Sequence, residues 1–131
     1  MELKIQLVRD GEVIWELPIT SKTYATIDDV WNRCEEIAEI FEALSHETRI
    51  KMLMKLMEEY PEPVSFAEIM REFDLNPKIV WENIRKLSVI GILEKSDRGR
   101  YQCSKNGRIL FTTLALTLTK IMELLNELEV M

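Results

Sequence analysis

Cysteine and histidine are nearly absent from this chain. Cys34 and Cys103 lie far apart, and His46 is the only histidine. Two distant thiols build neither a disulfide framework nor a thiolate metal cage. A three- or four-ligand metal site, or a histidine-dependent triad, lacks enough members within one chain. No metal or cofactor is therefore expected. No clustered acid, base and nucleophile is visible either, so the chain does not read as an enzyme. No uninterrupted apolar run approaches the roughly 20 residues of a membrane span. The opening MELKIQLVRDGE lacks the basic-then-apolar layout of a secretory signal. The expected location is cytoplasmic, with no membrane partner. Glutamine is also scarce, only Gln6 and Gln102 beside many Glu, Lys and Arg, a composition that points to a thermophilic source.

What is present suits a single soluble domain. The 131 residues are enough to bury a core, and the 47% hydrophobic and 31% charged fractions exclude a disordered acidic tail. The formal net charge is −6, but it is unevenly distributed. Residues 74–108 hold eight bases (Lys78, Arg85, Lys86, Lys95, Arg98, Arg100, Lys105, Arg108) against four acids, about +4, and the remainder carries −10. An acidic body with one basic segment is a layout suited to phosphate binding.

Residues 2–19 alternate around Asp10-Gly11 and predict a β-hairpin. A two-residue loop would mix the faces. A three-residue Arg9-Asp10-Gly11 loop pairs Leu7 with Val13, Ile5 with Trp15 and Leu3 with Leu17, sets Lys4 across from Glu16, and is the register expected here, with Gly11 left-handed. The apolar face is expected to pack on the dimerisation helices or on a partner subunit. A helix is predicted from Thr26 to about 44, with Val30, Cys34, Ile37, Phe41 and Leu44 forming a heptad seam. Ser45 is the expected cap of a second helix with a core stripe of Ile50, Leu53, Met54 and Met57, ended by Pro61-Glu62-Pro63. Met52, Met54, Met57 and Met70 read as core filler.

Ser65 and Glu68 form a capping box for FAEIMREF. Asn76 caps a fourth helix with Pro77 in its first turn, an inward stripe of Val80, Ile84 and Leu87, and a stop at Gly91. Two short strands, ILEKS and RYQCS, flank a tip at Asp97-Arg98-Gly99. Ser104 caps a last helix running to about Leu128, where Leu114, Leu118, Ile121, Leu125 and Leu128 repeat the four-three spacing. Two seams at opposite ends of a small chain predict a homodimer through the first and last helices.

Helix, short turn, helix and two-stranded ribbon is the order of a winged helix-turn-helix. IFEALSHETRIKMLMKL and SFAEIMREFDLNPKIVWENIRKLSVIGILEKSDRGRYQCSKNGRIL resemble the ArsR-type family of bacterial and archaeal transcriptional regulators, over residues 40 to about 110. With the thermophile-like composition, the resemblance points to an archaeal member. The fold it implies is mainly α with small β elements: a hairpin over 1–20, then a winged domain over 26–131. Within that domain, dimerisation helices span about 26–44 and 105–128, and the helix-turn-helix and wing span about 65–104. The resemblance also implies a dimer that places each recognition helix in a major groove of double-stranded DNA. The metal-sensing branch carries a cysteine motif on its third helix. FAEIMREF contains none, so metal sensing is not transferred.

On a helical wheel, Lys78, Ile79, Glu82, Arg85 and Lys86 face away from the inward stripe. Lys78 and Glu82 are the expected base readers, because a lysine can donate to guanine and a glutamate can accept from cytosine. Ile79 suits a thymine methyl, and Arg85 and Lys86 suit phosphates. Asn76, Asn83 and Lys95, with Arg98 and Arg100 on the wing, complete the expected DNA-facing set. Family helices usually carry small polar residues where this chain has Pro77, Ile79 and Trp81, and Trp81 reads first as packing. Cys103 is expected to be structural and half-buried, and His46 a residue of the cap region. The reading reached is a homodimeric repressor. Two alternatives stand beside it: a winged-helix module that binds a protein of the transcription machinery, and a thiol sensor through Cys34.

Overall fold

The computed structural model describes residues 3–19 and 28–130, with every side chain in those ranges but 29 and 128–130. The chain divides into two compact units, Met1–Ala38 and Glu39–Met131.

In the first unit, β1 (Leu3–Arg9) and β2 (Glu12–Ile19) form an antiparallel hairpin. Neither register considered from the sequence is adopted throughout. The loop has two residues, with Asp10 and Gly11 both at positive φ (52° and 82°), as the tight turn matching strand twist requires. Arg9 pairs with Glu12 and Val8 with Val13; an irregularity between Leu7 and Val8 then shifts the ladder, so that Leu7 meets Trp15, Ile5 meets Leu17 and Leu3 meets Ile19. A bulge on β2 at Ile14 accounts for the shift by absorbing one residue. The hydrophobic pattern still wins, because the shift restores one apolar face from the odd-numbered residues. Lys4 and Glu16 are joined by an ion pair at 3.3 Å, although Glu16 sits directly across from Gln6.

The expected first helix is divided. Helix α1 (Asp28–Asn32) and helix α2 (Cys34–Ala43) meet at Arg33, whose N–H reaches only three residues back, to Val30, at 3.1 Å. The predicted start at Thr26 lies outside the described residues.

Four further helices and a small sheet build the second unit: α3 (Glu47–Glu59), α4 (Phe66–Phe73), α5 (Pro77–Val89) and α6 (Lys105–Val130). The strands are β3 (Val64–Ser65), β4 (Leu93–Lys95) and β5 (Arg100–Cys103), in the antiparallel order β3-β5-β4. Strand β3 was not foreseen, being only two residues long. Capping follows the sequence closely. The Glu68 N–H donates to Ser65 Oγ at 3.1 Å, the Ile79 N–H to Asn76 Oδ1 at 2.9 Å, and the Gly107 N–H to Ser104 Oγ at 2.9 Å. Helix α3 is the exception. Its N-cap is His46, which makes no side-chain cap bond, whereas the Ser45 hydroxyl donates to the Glu42 carbonyl and finishes α2.

The core gathers Met52, Leu53 and Leu56 of α3, Ile69 of α4, and Val80, Ile84 and Leu87 of α5, together with Ile92 and Cys103, all 1% exposed or less. Each large apolar side chain so buried contributes about 1.5–3 kcal/mol. The predicted α3 stripe was rotated. Ile50 and Met54 are exposed and Met57 is half-buried, while the buried row is Arg49, Met52, Leu53 and Leu56. An arginine in the buried row disguised it. Met54 is therefore not core filler. Helix α6 lies against the end of β4's approach: a Cβ on Gly107 would fall 2.3 Å from the Ile92 carbonyl oxygen.

Over Lys105–Glu127 helix α6 is long and apolar enough to cross a membrane by length and composition. Threonines at 112, 113, 117 and 119 interrupt the apolar run without bringing the helix below that threshold. Its first turns are committed to the core through Gly107 and Phe111, both buried.

Candidate nucleic-acid interface

Helix α5 presents two distinct sides. Val80, Asn83, Ile84 and Leu87 are buried. Opposite them, Lys78, Glu82, Arg85 and Val89 recur at spacings of four, three and four, which is one outward row of a 3.6-residue helix. All four are exposed. Lys78 and Glu82 stand within reach by spacing, yet no ion pair joins them among the described residues, so both present free charge.

Asn83 was expected on this outward side. It is instead only 9% exposed, its Oδ1 accepting from Arg49 Nε at 2.9 Å and its Nδ2 donating to the Ile79 carbonyl at 2.9 Å. One residue of helical rotation separates it from the exposed row, and its partner Arg49 could not be foreseen as a core residue. Trp81 departs in the other direction. It is 54% exposed rather than packed, with Ile79 39% exposed on the other flank. Asn76 is exposed, and its side-chain oxygen is occupied by the cap bond.

The wing tip follows expectation. Asp97–Gly99 forms a tight 3-10 turn between β4 and β5, with Arg98 and Gly99 both left-handed (φ 61° and 71°). The Ser96 N–H closes the tip on the Arg100 carbonyl at 2.7 Å. Lys95, Arg98 and Arg100 are exposed. Gln102 donates to Glu94 across the two strands at 2.8 Å, which occupies one acid of the ribbon.

The distribution of ion pairs sharpens the charge map. Lys4, Lys51, Lys55 and Lys120 each pair with a carboxylate of the acidic body. The Lys51 ammonium holds the Glu47 carboxyl below its usual range, and the hydrogen bond to Glu59 raises the Lys55 ammonium above its own. Arg108 donates to the Cys103 carbonyl and lies 3.7 Å from the centre of the Tyr60 ring. By contrast, Lys78, Arg85, Lys95, Arg98, Arg100 and Lys105 form no salt bridge among the described residues; the exposed Arg9, Arg33 and Arg71 form none either, but they are scattered, whereas these six are close together in the chain. Lys86 differs from these neighbours, because its ammonium bonds the Glu42 carboxylate and holds that carboxyl below its usual range.

The other singled-out residues fall as follows. Val30, Cys34, Phe41, Leu118, Ile121 and Leu125 are exposed, and Ile37 and Leu114 are half-buried. The side chain of Leu128 lies outside those described. Cys103 is fully buried rather than half-buried, and burial pushes its thiol up to about 11. No group of metal-ligating side chains assembles among the described residues.

No family model and no curated protein matches the sequence. Solved structures do match the fold. The transcriptional repressor BigR of Xylella fastidiosa is 20% identical, with a TM-score of 0.55, covering 71% of this chain and 93% of its own. The homodimeric winged helix-turn-helix DNA-binding domain Mb0332 of Mycobacterium bovis, a possible ArsR-family regulator, is 17% identical with a TM-score of 0.56, covering 78% and 89%. A transcriptional regulator homologue from Pyrococcus horikoshii OT3 is 23% identical with a TM-score of 0.56, covering 70% and 97%. The fold is a winged helix-turn-helix. In its terms, α4 and α5 are the helix-turn-helix, with α5 its second helix, and β4–β5 is the wing.

Proposed function

We propose that this winged-helix chain is a homodimeric, sequence-specific DNA-binding regulator of the ArsR type, not an enzyme, which represses transcription in the cytoplasm by covering promoter DNA. The observation that carries the reading is the placement of unpaired cations. Every described lysine outside residues 74–108 pairs with a carboxylate, and the exposed arginines left without one there, Arg9, Arg33 and Arg71, are scattered, whereas α5 and the wing concentrate Lys78, Arg85, Lys95, Arg98 and Arg100 without a carboxylate. Such cations are available to displace counterions from a duplex. The outward row of α5 supplies base contacts through Lys78 and Glu82, with Ile79 beside them for a thymine methyl. Arg98 and Arg100 hold the backbone or the minor groove next to it. The apolar residues exposed on α2 and α6, from Phe41 to Leu125, are the surface through which two copies associate, giving related half-sites about one helical turn apart.

Binding to the DNA upstream of the chain's own gene, measured by anisotropy across a salt series, tests this. The expected result is log affinity falling with log salt by about 0.9 per phosphate contacted. Affinity that ignores salt, or that survives joint replacement of Lys78, Arg98 and Arg100 by Gln, would falsify it.

A second reading, a module that docks a protein of the transcription machinery, is favoured by Trp81 and Ile79, which leave apolar surface on the recognition helix. Recovery of a partner from nuclease-treated lysate, lost in Trp81→Ala, would support it, whereas a genomic footprint centred on one palindrome would argue against it.

A further inference from the structure

One flank of α5 is engaged by neighbouring helices before any DNA arrives. Ile79, Asn83 and Lys86 recur at spacings of four and three, so they share that flank, which runs beside the outward row towards the buried side. Two separate links run from it to the last turn of α2. In the first, Asn83 accepts from Arg49 Nε at 2.9 Å, and Arg49 Nη1 donates to the carbonyls of Glu42 at 2.8 Å and Ala43 at 3.0 Å. Asn83 is itself oriented by its bond to the Ile79 carbonyl. In the second, the Lys86 ammonium bonds the Glu42 carboxylate.

Arg49 is 5% exposed, and no carboxylate neutralises it within salt-bridge distance among the described residues. Its charge is met by the carbonyl end of α2, where the helix dipole is negative, and by one amide oxygen. That arrangement constrains direction as well as position: a planar guanidinium bonded on two sides fixes the angle between the groups it joins. Both links meet at Glu42, one through its carbonyl and one through its carboxylate. The last turn of α2 thus sets the roll of the helix whose outward row carries Lys78, Glu82 and Arg85.

We infer that Asn83 and Lys86 are positioning residues, which key the recognition helix to the end of α2 through Arg49 and Glu42 and do not themselves contact DNA. The inference rests on the DNA-binding reading for its consequence, but the keying exists in the free chain. It makes a distinction between Lys86 and its neighbour Arg85 that their shared charge hides. A phosphate contact adds affinity to every duplex alike; a positioning residue sets how much better the operator binds than other sequences.

The test uses the full chain carrying Glu42→Lys, Lys86→Glu, both together, or Arg85→Gln. Circular dichroism and thermal melting establish that each variant folds; Glu42 and Lys86 are exposed, so their reversal leaves the core intact. Each single reversal is expected to lower the ratio of operator to unrelated-DNA affinity about tenfold, and the double reversal to restore it to within about threefold. Arg85→Gln is expected to weaken both DNAs alike and to lower the salt slope by about one. Lys86→Glu weakening both DNAs alike, with no rescue by Glu42→Lys, would overturn the inference and make Lys86 a phosphate contact. Amide hydrogen exchange of the DNA-free chain separates the two readings. Faster exchange across Ile79–Val89 in both single variants, reversed in the double, supports the keying even if no duplex is bound. Unchanged exchange there in all three would overturn it.

Discussion

Gly107 needs no left-handed backbone, yet it cannot accept a side chain. A methyl group there would press on the backbone of Ile92, 2.3 Å from its oxygen and 2.8 Å from its Cα. Neither atom belongs to a flexible side chain that can turn aside. Gly107→Ala is expected to destabilise the chain by about 1–3 kcal/mol, read as a lower urea midpoint; an unmoved midpoint would refute the close approach. Arg98 poses the opposite problem, because a long side chain occupies a left-handed position that Asn tolerates better. Arg98→Asn is expected to leave stability equal or slightly raised while the salt slope of DNA binding drops by about one. Loss of stability with an unchanged slope would assign Arg98 to the fold instead. Burial holds the Cys103 thiol up at about 11, well above the ordinary thiol range. Because only the thiolate is nucleophilic, Cys103 in a Cys34→Ser chain is expected to resist iodoacetamide at pH 8 and to react on unfolding. Capping residues were the most legible feature at this scale, since Ser65, Asn76 and Ser104 act through bonds three residues away. Arg49 and Asn83 were not legible. A buried arginine satisfied by carbonyls has the same letter as a surface one, and only the folded chain brings the end of α2 to it.

Among the elements, α5 was read correctly to its stripe, because Val80, Ile84 and Leu87 follow an N-cap that fixes the starting phase. Helix α3 was misread by one row. Its sequence offers methionine, leucine or isoleucine on nearly every side, so apolar spacing alone could not choose between the Ile50 and Met52 rows. The hairpin erred in a related way. Alternation demanded that odd-numbered residues share a face, which Leu3, Ile5, Leu7, Trp15, Leu17 and Ile19 do while Val13, paired with Val8, does not; a bulge rather than a longer loop supplies the extra residue. Helix α6 carries the prediction proper to this scale. Leu118 and Leu125 are 58% and 54% exposed, one heptad apart. Leu118→Glu with Leu125→Glu is expected to shift the sedimenting species from two chains to one, with the circular dichroism of a folded monomer retained. A pair of glutamates that leaves the dimer intact would move the association surface elsewhere.

Over the whole molecule, opposite charge is segregated: residues 74–108 carry about +4 and the remainder −10, which together give the net −6. Repulsion from that acidic remainder should keep binding to unrelated DNA weak. Replacing the exposed Glu35, Glu36 and Glu39 by Gln is expected to raise affinity for any duplex severalfold at low salt, with the gain fading as ions screen it over about 8–10 Å. A gain confined to one sequence would contradict a long-range origin. The segregation was legible from residue order alone, whereas the state of each cation was not, as Lys86 and Arg85 show. The central position of β5 has a last consequence. Gripped by β3 on one side and β4 on the other, it ties the wing to Ser65, the residue that also opens α4. The ribbon therefore cannot swing as a flap. On the DNA-binding reading, adaptation to different duplex widths falls to residues 96–99, where a change in loop length would alter reach without disturbing the helices behind it.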